Sequence, residues 1–209
     1  MSNREIEKLA DKAKEELRLL SALDNSSLYT QKLLKAFPLE RDPKCEYFDR
    51  EPFGYWKDGV YIVGRDAEDY SIVRKIFDEK EWNQVNFDVL LESGVSHLYL
   101  NDNGLRYYLP RFLAYYYDLR RFESMYASNY FPTMSDFADG YVHARYRIGA
   151  DGRSYLVPID FSAFEKFTPA QSKLIAAFIV HVATLSPSKY EAEEAQRALT
   201  NYWGKFLMI

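Results

Sequence analysis

The chain has 209 residues, 47% of them hydrophobic, long enough for one domain that buries roughly 70% of its unfolded surface without metal or disulfide staples. With 27 basic and 31 acidic residues the formal charge is −4, and no Lys/Arg run is present; that excludes nucleic acid as a default partner. The single cysteine, Cys45, rules out an internal disulfide and a multi-cysteine zinc site, and in its polar segment it reads as an incidental thiol rather than a nucleophile.

The N-terminus is polar and charged from Ser2 onward, without the apolar core of a signal peptide. Residues 4–20 place Ile6, Leu9, Ala10, Ala13, Leu17 and Leu20 at helical spacing. Asp24, Asn25 and Ser26 break that pattern and cap a second helix over 28–37, which Pro38 ends; residues 1–37 thus form the N-terminal helices. Pro38, Pro43, Pro52, Gly54, Gly59 and Gly64 punctuate 38–64, an irregular segment with one strand at Val60, Tyr61, Ile62 and Val63.

Residues 65–126 hold the central helices. Asp66 opens one through about Phe77, with Tyr70, Val73, Ile76 and Phe77 inward, and a short one spans 87–91. In the next, Leu105, Tyr108, Leu109, Phe112, Leu113 and Tyr116 share a face, and Pro110 should kink or split it. Over 141–159, Val142, Ala144, Tyr146 and Ile148 alternate with Tyr141, His143, Arg145 and Arg147, a turn follows at 149–152, and alternation resumes, which predicts a β-hairpin. A C-terminal helix pair fills 164–209. Thr168 is the N-cap of the first helix, Pro169 its first residue and Gln171 the partner in a capping box, and Leu174, Ile175, Phe178, Ile179 and Val182 line one face. The last helix carries Ala195, Ala198, Leu199, Tyr202, Trp203 and Phe206 as one stripe. The expected fold is mostly α: a compact single domain, 1–209, of about six to eight helices with a small appended β-hairpin.

Five of these pieces resemble a bacterial family of uncharacterised proteins that carry a domain of unknown function. They are the Ala36-Phe37 step that ends a helix, Trp82 before a short helix, and an R-Y-Y-L-P-x-F-L core at 106–113. An F-x-x-F/L-T-P-x-Q helix start at 164–171 and an A-L-x-x-Y-W ending at 198–203 complete the match. The resemblance implies a shared fold and a bacterial or phage origin. It implies no activity, cofactor or catalytic residue, and residues 123–159 are longer here than the family pattern leads one to expect.

The three histidines, His97, His143 and His181, show no metal-ligand spacing. His181 falls on the apolar side of its helix as a core or boundary residue, and His97 belongs to local structure before the central helix. His143 shares a hairpin face with Tyr141, Arg145 and Arg147, a patch able to stack and to hold an anion, or equally a charged edge strand. Asp136 and Asp139 would work as a carboxylate pair only on a buried helix. Arg106, Tyr107 and Tyr108 read as a buried network in which the arginine supplies donors. No nucleophile elbow, P-loop, zinc-protease or dinucleotide motif occurs.

Aromatic residues make up 17% of the chain, and Tyr47, Tyr55, Trp56 and Tyr130 lie outside every core stripe. They either anchor a partner or pin loops to the core. The expected role is therefore non-enzymatic binding of another protein, as an adaptor or a toxin-neutralising protein, with Tyr55, Trp56 and the 141–147 patch as contacts. The alternative is a hydrolase with a site near His143 or His97. No cofactor, metal, nucleic acid or membrane is expected, and the longest apolar run, 174–185, is too short to span a bilayer. The expected location is the cytoplasm. A deep pocket with convergent polar groups would favour the enzyme, and a broad patch with exposed Tyr or Trp the binder.

Overall fold

The computed structural model describes residues 25–48, 54–57, 60–63, 67–78, 80–86, 100–117, 134–140, 146–148, 154–156, 161–186 and 188–208; side chains are described for most of these. These residues are mostly helical. In chain order they form α1 (Asn25–Ala36), β1 (Gly54–Lys57), β2 (Val60–Val63), α2 (Ala67–Phe77), a 3-10 turn (Trp82–Gln84), α3 (Asp102–Tyr117) and α4 (Met134–Asp139). The short strands β3 (Tyr146–Ile148) and β4 (Ser154–Leu156) follow, then α5 (Ser162–Glu165), α6 (Pro169–Leu185), α7 (Lys189–Asn201) and a closing 3-10 segment (Trp203–Leu207). The helices expected over 4–20 and 87–91 lie outside the described residues.

The start of α6 follows directly from its sequence. Thr168 Oγ1 accepts from the Gln171 N–H at 3.3 Å, and Gln171 Oε1 accepts from the Thr168 N–H at 2.9 Å, so each satisfies a group that the first turn leaves open. The remaining end of the Gln171 side chain reaches another helix, its Nε2 donating to the Ala36 carbonyl at the end of α1, 3.0 Å away. Burial along α6 is wider than one stripe. Beside Ile175, Phe178, Ile179 and Val182, the residues Ser172, Ala176, Val180 and His181 are also buried, whereas Leu174 is only partly so. A helix wrapped this far is the centre of a bundle.

Around it, α1 contributes Tyr29, Leu33 and Phe37, α2 contributes Val73, Ile76 and Phe77, and α3 contributes Leu105, Tyr108, Leu109, Phe112 and Leu113, all buried in one cluster. Trp82 is wholly buried beside them. The α7 stripe is interrupted rather than continuous: the helix stops at Asn201, Tyr202 turns out of helical geometry (φ −146°, ψ −48°), and Trp203 begins a 3-10 segment. That change of path sets the Trp203 ring against Phe137 and Phe164, and its indole N–H donates to the Phe137 carbonyl at 3.1 Å.

In α3 one of the two outcomes expected of Pro110 is excluded, and the role expected of Arg106 is corrected. Pro110 does not split the helix, which runs unbroken from Asp102 to Tyr117. Side chains on both sides of the proline, Leu105, Tyr108 and Leu109 before it and Phe112 and Leu113 after, are buried in the same core. Arg106 also does not supply the tyrosine hydroxyls. Tyr108 donates to the Phe77 carbonyl and Tyr107 to the Leu39 carbonyl, so backbone acceptors satisfy both.

The segment read as irregular holds a strand partner for the expected one: β1 pairs antiparallel with β2, Tyr55 opposite Ile62 and Trp56 opposite Tyr61. A second antiparallel pairing joins β3 to β4 over three residues, Arg147 opposite Tyr155. The side chains whose alternation predicted a larger hairpin over 141–159 lie outside what is described, and the helical framework is what the described residues establish.

Candidate functional site

Between α1 and the strands, residues 38–48 form a loop whose turn chemistry is explicit in the sequence. Asp42-Pro43-Lys44-Cys45 closes with the Cys45 N–H donating to the Asp42 carbonyl at 3.0 Å, while Asp42 Oδ1 accepts from the Lys44 N–H at 2.9 Å. Aspartate first and proline second is the favoured order for such a turn. The start of α3 fixes the far side of the loop. Asn101 Oδ1 accepts from the Gly104 N–H at 2.9 Å as an N-cap, and its Nδ2 donates to the carbonyls of Glu46 (2.9 Å) and Phe48 (3.2 Å). Asn103 adds a donation to the Glu46 carbonyl at 3.2 Å. Tyr47 is buried against the edges of Tyr107 and Tyr108, with ring centroids 5.2 and 6.4 Å away.

A cleft of about 210 Å³ opens where this loop meets α3 and the start of α6. Phe37, Pro38 and Phe167 give it apolar walls, Cys45 and Tyr47 come from the loop, Asn103, Arg106 and Tyr107 from α3, and Lys166 and Gln171 from the α6 entry. Arg106 is partly buried and donates to the Ala163 carbonyl (3.4 Å) and to Asn103 Oδ1, both neutral. Burial pulls its pKa down and the Asp102 charge acts against that; an arginine stays protonated regardless. Lys166 is exposed, and among the described residues neither Lys166 nor Arg106 forms an ion pair. Burial raises the Cys45 thiol pKa, helped by a 3.5 Å hydrogen bond to Asp42 Oδ2 and by that carboxylate's charge, while the charges of Arg106 and Lys166 act the other way.

A neighbouring cleft of about 390 Å³ shares Cys45 and Tyr47 and differs in its charge balance. There Arg41 and Arg74 both pair with Asp78, and they lie over the rings of Tyr47 and Phe48 at 4.4 and 4.7 Å. With Glu46 also in its lining, two carboxylates stand against its two cations.

The sequence-derived contacts fall elsewhere. Tyr141, His143, Arg145 and His97 lie outside the described residues. Tyr55, Trp56 and Arg147 belong to strands whose backbone alone is described. His181 is buried in α6, 5% exposed, and burial draws its pKa down to about 4, which makes it a neutral core residue at pH 7. Asp136 and Asp139 do share a helix, but Asp139 is bound by the Arg197 guanidinium, which also holds Glu194. That pins α4 to α7 and commits Asp139 to an ion pair. Among the described residues no group of His, Cys, Asp and Glu is placed to hold a metal ion, and three large hydrophobic side chains, Leu34, Tyr190 and Met208, stand exposed.

A family model matches residues 64–207, more than half of the chain. The chain belongs to the family of unknown function DUF6714. No curated protein and no solved structure matches the chain. The DUF6714 span takes in α3 and the α6 entry, hence Asn103, Arg106, Tyr107, Lys166, Phe167 and Gln171, and leaves out α1 and the Cys45 loop. The cleft is therefore built from both sides of the family boundary. Sequence reading singled out Arg106 and Gln171 for structural roles only and passed over Lys166 and Asn103. Only the Asp42-Pro43 turn and the Asn101 cap could have signalled that this loop is fixed in place.

Proposed function

We propose that the protein acts by binding another protein rather than by catalysis, with the cleft beside Cys45 as an anchoring point. The observation that carries this reading is a cleft of about 210 Å³ holding two cations without ion-pair partners among the described residues. Sites for small molecules run to roughly 300 Å³ and upward, so this one suits a single side chain or chain end of a larger partner. Tyr55, Trp56, Tyr141, His143, Arg145 and Arg147 remain candidate contacts on the same reading. An adaptor or toxin-neutralising role in a bacterial cytoplasm is the setting proposed for it. The resemblance to a bacterial family supports that setting, as does the finding that among the described residues no helix is long and apolar enough to cross a membrane.

The test is affinity capture by the tagged chain from its own cells, run beside Lys166→Glu and a Tyr55→Ala, Trp56→Ala double variant, followed by calorimetry with the purified partner. A defined protein retained by the wild type, and lost with one of the variants, supports the reading. Turnover of a small substrate that disappears in His143→Ala overturns it in favour of a hydrolase.

A further inference from the structure

Resting on that reading, we infer that the Arg106–Lys166 cleft recognises a carboxylate carried next to an apolar side chain, as at the C-terminus or an acidic residue of a peptide. The hydrogen-bonding groups of the cleft are unevenly used. The acceptors are committed: Asn103 Oδ1 receives from Arg106, Gln171 Oε1 receives from the Thr168 N–H, and the Tyr47 hydroxyl is engaged on both sides by Asp42, receiving from its N–H at 2.8 Å and donating to its carbonyl at 3.3 Å. The Tyr107 hydroxyl donates to Leu39.

The donors are in surplus. A guanidinium carries five N–H groups and an ammonium three; Arg106 uses its to reach Ala163 and Asn103, and the Lys166 ammonium makes no hydrogen bond or ion pair with any described residue. Gln171 Nε2 spends one N–H on Ala36 and keeps another. A cleft with donors left over and its acceptors occupied is complementary to an anion.

Phe37, Pro38 and Phe167 decide which kind. Inorganic phosphate would leave those apolar walls wet, whereas a carboxylate flanked by an aromatic or aliphatic group covers them while its oxygens meet Arg106 and Lys166. The neighbouring cleft is the internal control: it has the same loop at its wall, but its two arginines both pair with Asp78 and a second carboxylate, Glu46, lines it too.

The experiment is a chemical-shift titration of the full-length 15N-labelled chain with four probes: N-acetyl-phenylalanine, N-acetyl-phenylalaninamide, acetyl-Phe-Glu-amide and sodium phosphate. The expected result is that at least one carboxylate probe shifts the backbone signals of Cys45, Asn103 and Lys166. It should bind at least tenfold more tightly than both the uncharged amide and phosphate. Saturation by acetyl-phenylalanine assigns the site to a chain terminus, and by the glutamyl probe to an acidic side chain. Lys166→Glu, an exposed change that leaves the core untouched, should weaken binding at least tenfold, and Arg106→Lys should weaken it less than Arg106→Gln. Equal binding of the amide, tighter binding of phosphate, or no effect of Lys166→Glu would overturn the inference. If no probe binds while affinity capture still yields a partner that the Tyr55, Trp56 variant loses, the carboxylate inference fails and the binding role stands.

Discussion

Gly104 sits where α3 packs against the Cys45 loop. A Cβ placed on it would lie 2.0 Å from the Tyr47 carbonyl oxygen and 3.0 Å from its carbonyl carbon, both backbone atoms that cannot rotate away. Gly104→Ala should cost about 1–3 kcal/mol by forcing loop and helix apart, read as a lower urea midpoint. Nothing in the sequence marks this glycine, because its constraint is a contact with residue 47, far away along the chain. His181 gives a second expectation. Its pKa falls from 6.5 to about 4 on folding, so between those values the unfolded chain binds a proton that the folded one refuses. The contribution of His181 should be lost as pH drops through that window, by on the order of 3 kcal/mol, and not change further below it. Urea midpoints from pH 7 to about 3 for wild type and His181→Gln measure it. The variant should lose this part of the slope and keep the part due to Glu194, whose pKa is lowered chiefly by its hydrogen bond with Arg197 and whose support is also lost in acid. That His181 is a core residue was legible from its place on the apolar face of α6.

Helix ends were the most legible elements, since capping is written within four residues. The Thr168–Gln171 box and its Pro169 were readable directly, whereas the reach of Gln171 to Ala36, 135 positions away, was not. Thr168→Ala should therefore lose about 1 kcal/mol. Gln171→Ala should lose more, because it leaves both the Thr168 N–H and the Ala36 carbonyl without their partner. Phe178→Ala, at a fully buried site stacked on Tyr29, should cost about 3–5 kcal/mol. Chemical denaturation of the three variants checks that order. Rules for breaking elements served less well. Pro110 removes one backbone donor, yet α3 continues through it to Tyr117, and the end of α7 at Asn201 is hidden inside an apolar stripe that continues past it.

At the scale of the whole molecule, the DUF6714 match and the packing divide the chain differently. The matched span starts at residue 64, yet α1 lies in the core, with Tyr29 hydrogen-bonded to the Leu174 carbonyl at 3.0 Å and Phe37 edge-on to Phe167 at 6.0 Å. A fragment of residues 64–209 should lack cooperative thermal unfolding by circular dichroism, while the full chain shows it. The helical class could be read from periodicity, which is local. The cleft could not, because its walls are contributed by segments scattered from Phe37 to Gln171 and meet only after α1, α3 and α6 have packed.

Cys45 makes the unaltered chain its own optical reporter. It is the sole thiol, and it stands at the wall common to both clefts, so one maleimide fluorophore attaches at one place without removing any other cysteine. Because the thiol pKa is raised, attachment should be slow at neutral pH and quicken in alkaline buffer, where thiolate forms. An occupant seated beforehand in either cleft should slow that attachment. The rate of dye uptake then reports occupancy of the wild-type protein without knowledge of what the occupant is.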